Sequence, residues 1–303
     1  MKDSYPSVSL ERFCWLLGIT RQAFYKNTWN KKRKSSKEQL VVSEVKNIRR
    51  EHPAIGTRKL HELLQGFYQK HSIKMGRDAL FCTLSDNLLL VKRRRRRVST
   101  TQSHHWLKKY SNLVKGWYPT LPEQLWVSDI TYVPCERQFL YLSLVTDAYS
   151  HKIMGYHIAD TLEAVHCIKA LSMALADRLY PTHNLIHHSD RGIQYCSSSY
   201  TELLMQNNIS ISMTESGDPL DNAIAERING IIKHEYLKHY RPSNLEQAIA
   251  LLRQVVESYN ERRPHLSIQM NTPSKVHHQK LQVNRQWKKS KRTSTIANQL
   301  NHL

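Results

Sequence analysis

A chain of 303 residues carrying 45 Lys plus Arg against 25 Asp plus Glu has a formal charge of +20 and a pI near 9.8, so it is drawn to polyanions and has room for more than one domain. Hydrophobic residues make up 40% and charged ones only 23%, which excludes a basic disordered tail, and no apolar run approaches the roughly 20 residues of a membrane span. Five scattered cysteines without a C-x-x-C pair, and no signal-peptide pattern at Met1, exclude a disulfide scaffold and a Cys-based zinc site; the expected location is the cytoplasm, in association with the nucleoid.

The charge is uneven: residues 1–110 sum to +17, residues 111–274 to −4 and residues 275–303 to +7. The front reads as short helices. Leu10, Phe13, Leu16 and Leu17 recur at helical spacing after Ser9, an N-cap residue; Gly18 stops that helix and Thr20 caps the next, which carries Arg21 and Gln22. Helix, glycine turn, helix is the helix-turn-helix pattern, although an ordinary helical hairpin has it too. Lys31–Lys34, with Ser35 and Ser36, reads as a linker. Further helices are expected over 38–51, 56–66 and 76–87, with Arg58 and Arg77 in first turns, where a cation beside a helix N-terminus suits phosphate contact. Lys92, Arg93, Arg94, Arg95, Arg96 and Arg97 form an unbroken cationic run that reads as an arm along a phosphate backbone, or more simply as a solvated domain boundary.

From Trp126 the periodicity changes. Trp126–Val133 alternates and ends at Pro134, and Phe139–Val145 follows after a short turn, so the two form a hairpin. Ile153–Ile158 is a third strand, 162–179 a helix, Asn184–Ser189 a fourth strand, 199–207 a helix and Ile209–Met213 a fifth strand. Helices over 221–238 and 244–261 close the set. Three antiparallel strands followed by alternating helix and strand give a mixed α/β sheet covered by helices.

Three carboxylates stand out by position. Asp129 lies in the first strand, Asp190 ends the fourth beside it, and Glu226 lies one turn into a helix. Hard oxygens of this kind can hold two Mg²⁺ ions, which would activate a water or 3′-hydroxyl for in-line phosphoryl displacement. Each acid is equally readable as a surface or capping residue, and spacing alone does not decide. His187 and His188 precede Asp190 and read either as packed strand-end residues or as aids to proton transfer. Ser216–Leu220 is a turn-rich loop feeding the Glu226 helix, and Asn222 reads either as part of that connector or as a DNA contact. The tail with Trp287, Lys288, Lys289, Lys291 and Arg292 reads as a non-specific DNA contact.

Residues 124–274 resemble the catalytic core of the DDE transposases and retroviral integrases. The matching stretches are Leu125–Tyr132, His188–Tyr195 and Asp221–Ala223 with Glu226 three residues on, followed by Tyr259-Asn260, Arg263-Pro264-His265 and Thr272-Pro273. The front resembles the second reading-frame product, OrfB, of the copy-out, paste-in insertion sequences. The resemblance implies an RNase H-like fold and identifies Asp129, Asp190 and Glu226 as the catalytic, metal-binding triad, served by two Mg²⁺ with Mn²⁺ expected to substitute. Lys233, seven residues after Glu226, matches the family's basic residue on the same helix face and would point to DNA. The zinc module of retroviral integrases is missing, and helix-turn-helix units stand in its place. The family's active form is a frameshift fusion, so an upstream-frame partner or fusion (OrfA) is expected, because no sustained heptad run appears in this chain.

The expected organisation is a helix-turn-helix unit over 1–34, a second helical DNA-binding unit with its basic arm over 35–110, an RNase H-like core over 111–280 and a basic tail over 281–303. The leading function is a transposase that binds element ends and catalyses 3′-end cleavage and strand transfer. Its expected partners are double-stranded DNA, both terminal inverted repeats and target, and further copies of itself, a homodimer or larger, with no membrane. The competing readings are a DNA-binding regulator without chemistry and an RNase H-like nuclease of another kind.

Overall fold

The computed structural model describes residues 9–91, 106–136, 138–215 and 222–283. The chain divides into two units, Met1–Arg94 and Arg95–Leu303.

In the first unit, α1 (Leu10–Leu16) is capped by Ser9, whose Oγ accepts from the Arg12 N–H at 3.3 Å. The chain turns through Gly18 at φ +65°, a left-handed conformation that glycine adopts without strain. Thr20 then caps α2 (Arg21–Glu51), accepting from the Ala23 N–H at 3.0 Å. The linker expected at residues 31–36 is instead helical, so the boundary expected at 34/35 falls inside α2. Lys, Arg, Glu and Gln are good helix formers, and a run of them propagates a helix as readily as it solvates a loop. The single helix expected over 56–66 is two, α3 (Thr57–Leu63) and α4 (Gln65–Lys70), followed by α5 (Arg77–Asp86). Val41 and Val45 of α2 pack with Leu60, Leu64, Tyr68, Leu80 and Leu84 into one small core. The basic run Lys92–Arg97 and the tail beyond residue 283 lie outside the described residues.

The second unit is built on one five-stranded sheet: β1 (Leu125–Cys135), β2 (Gln138–Asp147), β3 (Ile153–Ala159), β4 (Ile186–Ser189) and β5 (Ser210–Met213), in the order β3-β2-β1-β4-β5. β1, β2 and β3 pair antiparallel, whereas β4 and β5 add parallel to β1. This is the mixed RNase H-like sheet. β1 runs one residue past Pro134 rather than stopping there. Because β4 pairs only with Leu125–Ser128, the far half of β1 is an edge, where the missing proline N–H costs no ladder bond.

Helices cover both faces. α6 (Ala164–Ala176) and α7 (Ser198–Gln206) enclose Trp126, Val145, Met154 and Leu171 on one side. On the other, α8 (Ala223–Ile231), a π-helical turn (Ile232–Leu237), α9 (Lys238–Tyr240) and α10 (Leu245–Glu261) form one helical layer; its Ile228, Tyr236, Leu252 and Tyr259 bury Val133, Leu140 and Leu142. α6 meets β3 backbone to backbone at Gly155, where an added Cβ would stand 2.0 Å from the Ala170 carbonyl oxygen. The last helix, α11 (Pro273–Gln279), is anchored by a fully buried polar cluster. His277 Nε2 lies 3.2 Å from Glu123 Oε1 and its Nδ1 3.7 Å from Asp147 Oδ1, while Ser150 donates to Asp147 at 2.6 Å. Among the described residues no helix is long and apolar enough to cross a membrane.

Candidate active site

β1 and β4 run parallel in register from Leu125↔Ile186 to Ser128↔Ser189, and the next residue on each chain is Asp129 and Asp190. The parallel pairing therefore ends by setting the two carboxylates side by side. Side chains alternate across β1, so Asp129 shares the face of Val127 and Val133, the face that α8 covers. α8 carries Glu226 in its first turn, and Asn229, three residues on, donates from Nδ2 to Asp129 Oδ2 at 2.8 Å. Asp190 Oδ1 accepts from the Gly192 N–H at 2.9 Å. An added Cβ at Gly192 would stand 2.9 Å from that same oxygen, so a side chain there would displace the Asp190 carboxylate.

The three carboxylates interact electrostatically. Burial and then the charge of Asp190 push Asp129 up to about 7; the Asn229 hydrogen bond opposes this and Glu226 adds to it. Asp190 is raised by burial, against the pull of the Gly192 N–H. Glu226 is raised by burial and then by Asp190. Two buried amide oxygens, Asn229 Oδ1 and Asn222 Oδ1, have no hydrogen-bond partner. Among the described residues no three His, Cys, Asp or Glu side chains stand close enough to enclose a single ion. The donor set is thus all hard oxygen with uncompensated negative charge, which fits divalent cations that keep part of their water shell.

The two histidines before Asp190 belong to the core. His187 Nε2 lies 2.8 Å from Ser128 Oγ and 2.9 Å from the Tyr200 hydroxyl, and His188 Nδ1 lies 2.9 Å from Ser212 Oγ, so together they tie β1, β4, β5 and α7. Burial, and then His188, push His187 down to about 3, so it is neutral at any working pH and cannot shuttle protons there. Asn222, read above as part of the connector or as a DNA contact, is buried, and its Nδ2 donates to the Ser128 carbonyl at 3.0 Å, one residue before Asp129. Lys233 is half-buried in the π-helical turn.

In the first unit Arg21, Gln22, Arg58 and Arg77 are all exposed at helix starts, with Arg77 Nε bonded to Asp78 at 3.0 Å. Asn229 escaped the sequence reading. Its only trace is the spacing of three from Glu226, which puts both side chains on one face of a helix.

Two integrase core domain families match the chain, over residues 119–219 and 207–273. A Shigella sonnei protein, the uncharacterized 31 kDa protein of insertion element IS600, is 35% identical over 257 residues, spanning 83% of this chain and 92% of that one. The chain belongs to the insertion-sequence transposases. The transposase InsF of insertion sequence IS3A from Escherichia coli is 34% identical to this transposase over 164 residues, 53% of this chain and 56% of that one. The transposase of IS904 from Lactococcus lactis is 29% identical, over 61% of its own length. Among solved structures, the magnesium-bound HTLV-2 integrase catalytic core domain is 21% identical with a TM-score of 0.42, over 52% of this chain and 98% of that one. The simian T-cell lymphotropic virus intasome chain is 18% identical with a TM-score of 0.47, over 74% of each. The transposase is thus a DDE-class polynucleotidyl transferase that carries an integrase core and acts in DNA transposition.

Proposed function

We propose that this transposase cleaves the 3′ ends of its element and transfers them to target DNA at Asp129, Asp190 and Glu226, having bound the ends through its basic first unit. The observation that carries the reading is that Asp190 raises the proton affinity of both Asp129 and Glu226, and Glu226 that of Asp129, on a helix-covered sheet. A bound divalent cation would relieve this repulsion, and carboxylates perturbed in this way cluster at functional sites.

Asp129, Asp190 and Glu226 would hold a pair of Mg²⁺ ions, or Mn²⁺ in their place, which when bound supply nucleophile activation and stabilisation of the leaving oxygen. The rest is done by the chain itself. Asn229 holds the Asp129 carboxylate toward α8, and the Gly192 N–H holds Asp190, so neither must be ordered when DNA arrives. Asn222 braces the β1 backbone at Ser128. Lys233, one helix face along from Glu226, contacts a phosphate of the bound end. Arg21, Gln22, Arg58, Arg77 and the run from Lys92 to Arg97 grip the terminal repeat, and the basic tail adds non-specific contact. Joining two ends calls for at least two copies, and an upstream-frame partner supplies the pairing segment that this chain lacks. The catalytic core of the same proposal begins with the second unit, at Arg95 and not at residue 111, and runs to about residue 280.

The test is strand transfer by Asp129→Asn, Asp190→Asn and Glu226→Gln with Mg²⁺ and end oligonucleotides. Each variant should lose strand transfer while end binding persists. Near wild-type transfer by any one of them would overturn the assignment. A wild-type chain that binds ends yet makes no new 3′ ends or joined strands would favour the regulator reading instead.

A further inference from the structure

The Tyr259-Asn260 and Arg263-Pro264-His265 motifs remain without a role in the chemistry above. Both lie at the C-terminal end of α10 and just beyond it. Asn260 pairs with both backbone groups of Ile153, accepting from its N–H at 2.9 Å and donating to its carbonyl at 3.0 Å, so it holds the start of β3 like an extra strand residue. Arg263 is fully buried and faces Glu235. Its Nε donates to Glu235 Oε2 at 3.0 Å, and its Nη2 donates to Oε1 at 3.1 Å and to Oε2 at 2.8 Å. Its Nη1 lies 2.8 Å from His265 Nε2, which must be the acceptor because a guanidinium has only donors. The guanidinium also sits 5.8 Å from the centre of the Tyr259 ring.

Glu235 belongs to the π-helical turn, Ile232–Leu237. A π-turn closes one residue later than an α-turn, so it inserts one residue into the helical phase. The consequence is visible in the core. Ile228 and Leu237 pack in the same cluster, although nine residues apart they would lie on opposite faces of a uniform α-helix. The surplus residue brings Leu237 back to the core while Glu226 and Asn229 upstream still face Asp129 and Asp190.

We infer that the Glu235–Arg263 pair is a positioning device for the active site: it locks the π-turn and so sets the rotational phase of Glu226, Asn229 and Lys233 against the core. Three charge-assisted bonds to one half-buried carboxylate favour the wider turn over a plain α-turn. Removing them lets the turn tighten, and a one-residue change of phase rotates the helix by about 100°. Arg263 is fully buried and Glu235 is turned to it, so both act through the helix.

This inference rests on the reading of Asp129, Asp190 and Glu226 as the reacting site. It is tested on the full chain by strand-transfer kinetics of Arg263→Ala, Arg263→Lys and the double variant Glu235→Gln with Arg263→Met, with folding checked by thermal unfolding. Folded Arg263→Ala should lose at least about tenfold in kcat with KM for end DNA within about twofold, because what is lost is geometry and not DNA affinity. Arg263→Lys, which keeps the charge and one bond, should recover part of that rate. If Arg263→Ala does not fold, the double variant Glu235→Gln with Arg263→Met carries the test, since it leaves no buried charge unpaired; about a threefold to tenfold loss in kcat at unchanged KM is expected. Full kcat in a folded variant overturns the inference, as does a loss of rate that merely follows the loss of folded protein. Glu226→Gln separates the two claims. If it retains strand transfer, the site assignment fails; if it is inactive while Arg263→Ala is fully active, only the positioning role fails.

Discussion

Asp129→Asn should make this protein more stable in the absence of divalent ions, although it removes a residue central to the proposed chemistry. In the folded chain the Asp129 carboxyl is pushed from its ordinary 3.8 up to about 7 by burial and by Asp190. At about 1.4 kcal/mol per tenfold change in proton affinity, that displacement is worth roughly 4 kcal/mol. The side chain is half-buried, not sealed, so solvent screening reduces the penalty to about 2 kcal/mol. The sign follows from linkage. Below pH 3.8 the group is protonated in both states and costs nothing; between 3.8 and 7 the unfolded chain ionises first and stability falls; above 7 the full penalty stands. Asn keeps an oxygen that accepts from Asn229 Nδ2 and carries no charge. Urea unfolding of wild type and variant in EDTA should show the variant ahead by about 2 kcal/mol near pH 8, with the gap closing toward pH 4. Millimolar Mg²⁺ should then stabilise the wild type more than the variant. A variant equal to or weaker than wild type near pH 8 without Mg²⁺ would refute the claim that burial and the Asp190 charge penalise the ionised Asp129 carboxyl.

Three further outcomes are expected. Gly155→Ala should destabilise by about 3 kcal/mol or more, because the new methyl meets the Ala170 carbonyl at 2.0 Å and α6 must lift off β3; unfolding midpoints measure it, and a neutral result would contradict the close approach. His277→Gln should cost about 3–5 kcal/mol by leaving Glu123 and Asp147 buried against each other. Burial lowers His277, but the hydrogen bonds it donates to both carboxylates outweigh this and raise it, so its contribution is complete below pH 6.5 and is lost as pH rises through the higher folded value. The variant's deficit, followed by unfolding across that range, should therefore shrink at alkaline pH. If the basic front, residues 1–110, neutralises about eight phosphates, log affinity for end DNA should fall against log salt with a slope near −7, whereas a flat line would show the +17 unused.

The sequence by itself carried the order and type of most elements in the second unit, because burial writes a period of two or 3.6 into a strand or helix wherever one face meets a core. Asp129, Asp190 and Glu226 were legible by position, and the resemblance to DDE cores gave their pattern a meaning. Local composition misled where two states share one pattern. Lys31–Lys34 reads equally as linker and helix, and in the chain it is helix. Pro134 reads as a strand end, but whether a proline ends a strand depends on whether a neighbour needs its N–H, and β4 is too short to need it.

What only the tertiary structure decided are the partnerships between residues far apart in the chain. Asn229 meets Asp129 across 100 residues, Arg263 meets Glu235 across 28, and His277 meets Glu123 across 154. None leaves a periodic trace, because a hydrogen bond between two elements depends on their distance and phase in space and not on local spacing. The π-turn is of the same kind. Its residues are ordinary helix formers, and the extra residue in the turn is settled by the demand that one helix face both a core and a site. The uneven charge, +17 in front and −4 in the middle, was written in the sequence, but the mutual repulsion that makes the middle a candidate metal site arises only once the fold buries its carboxylates together.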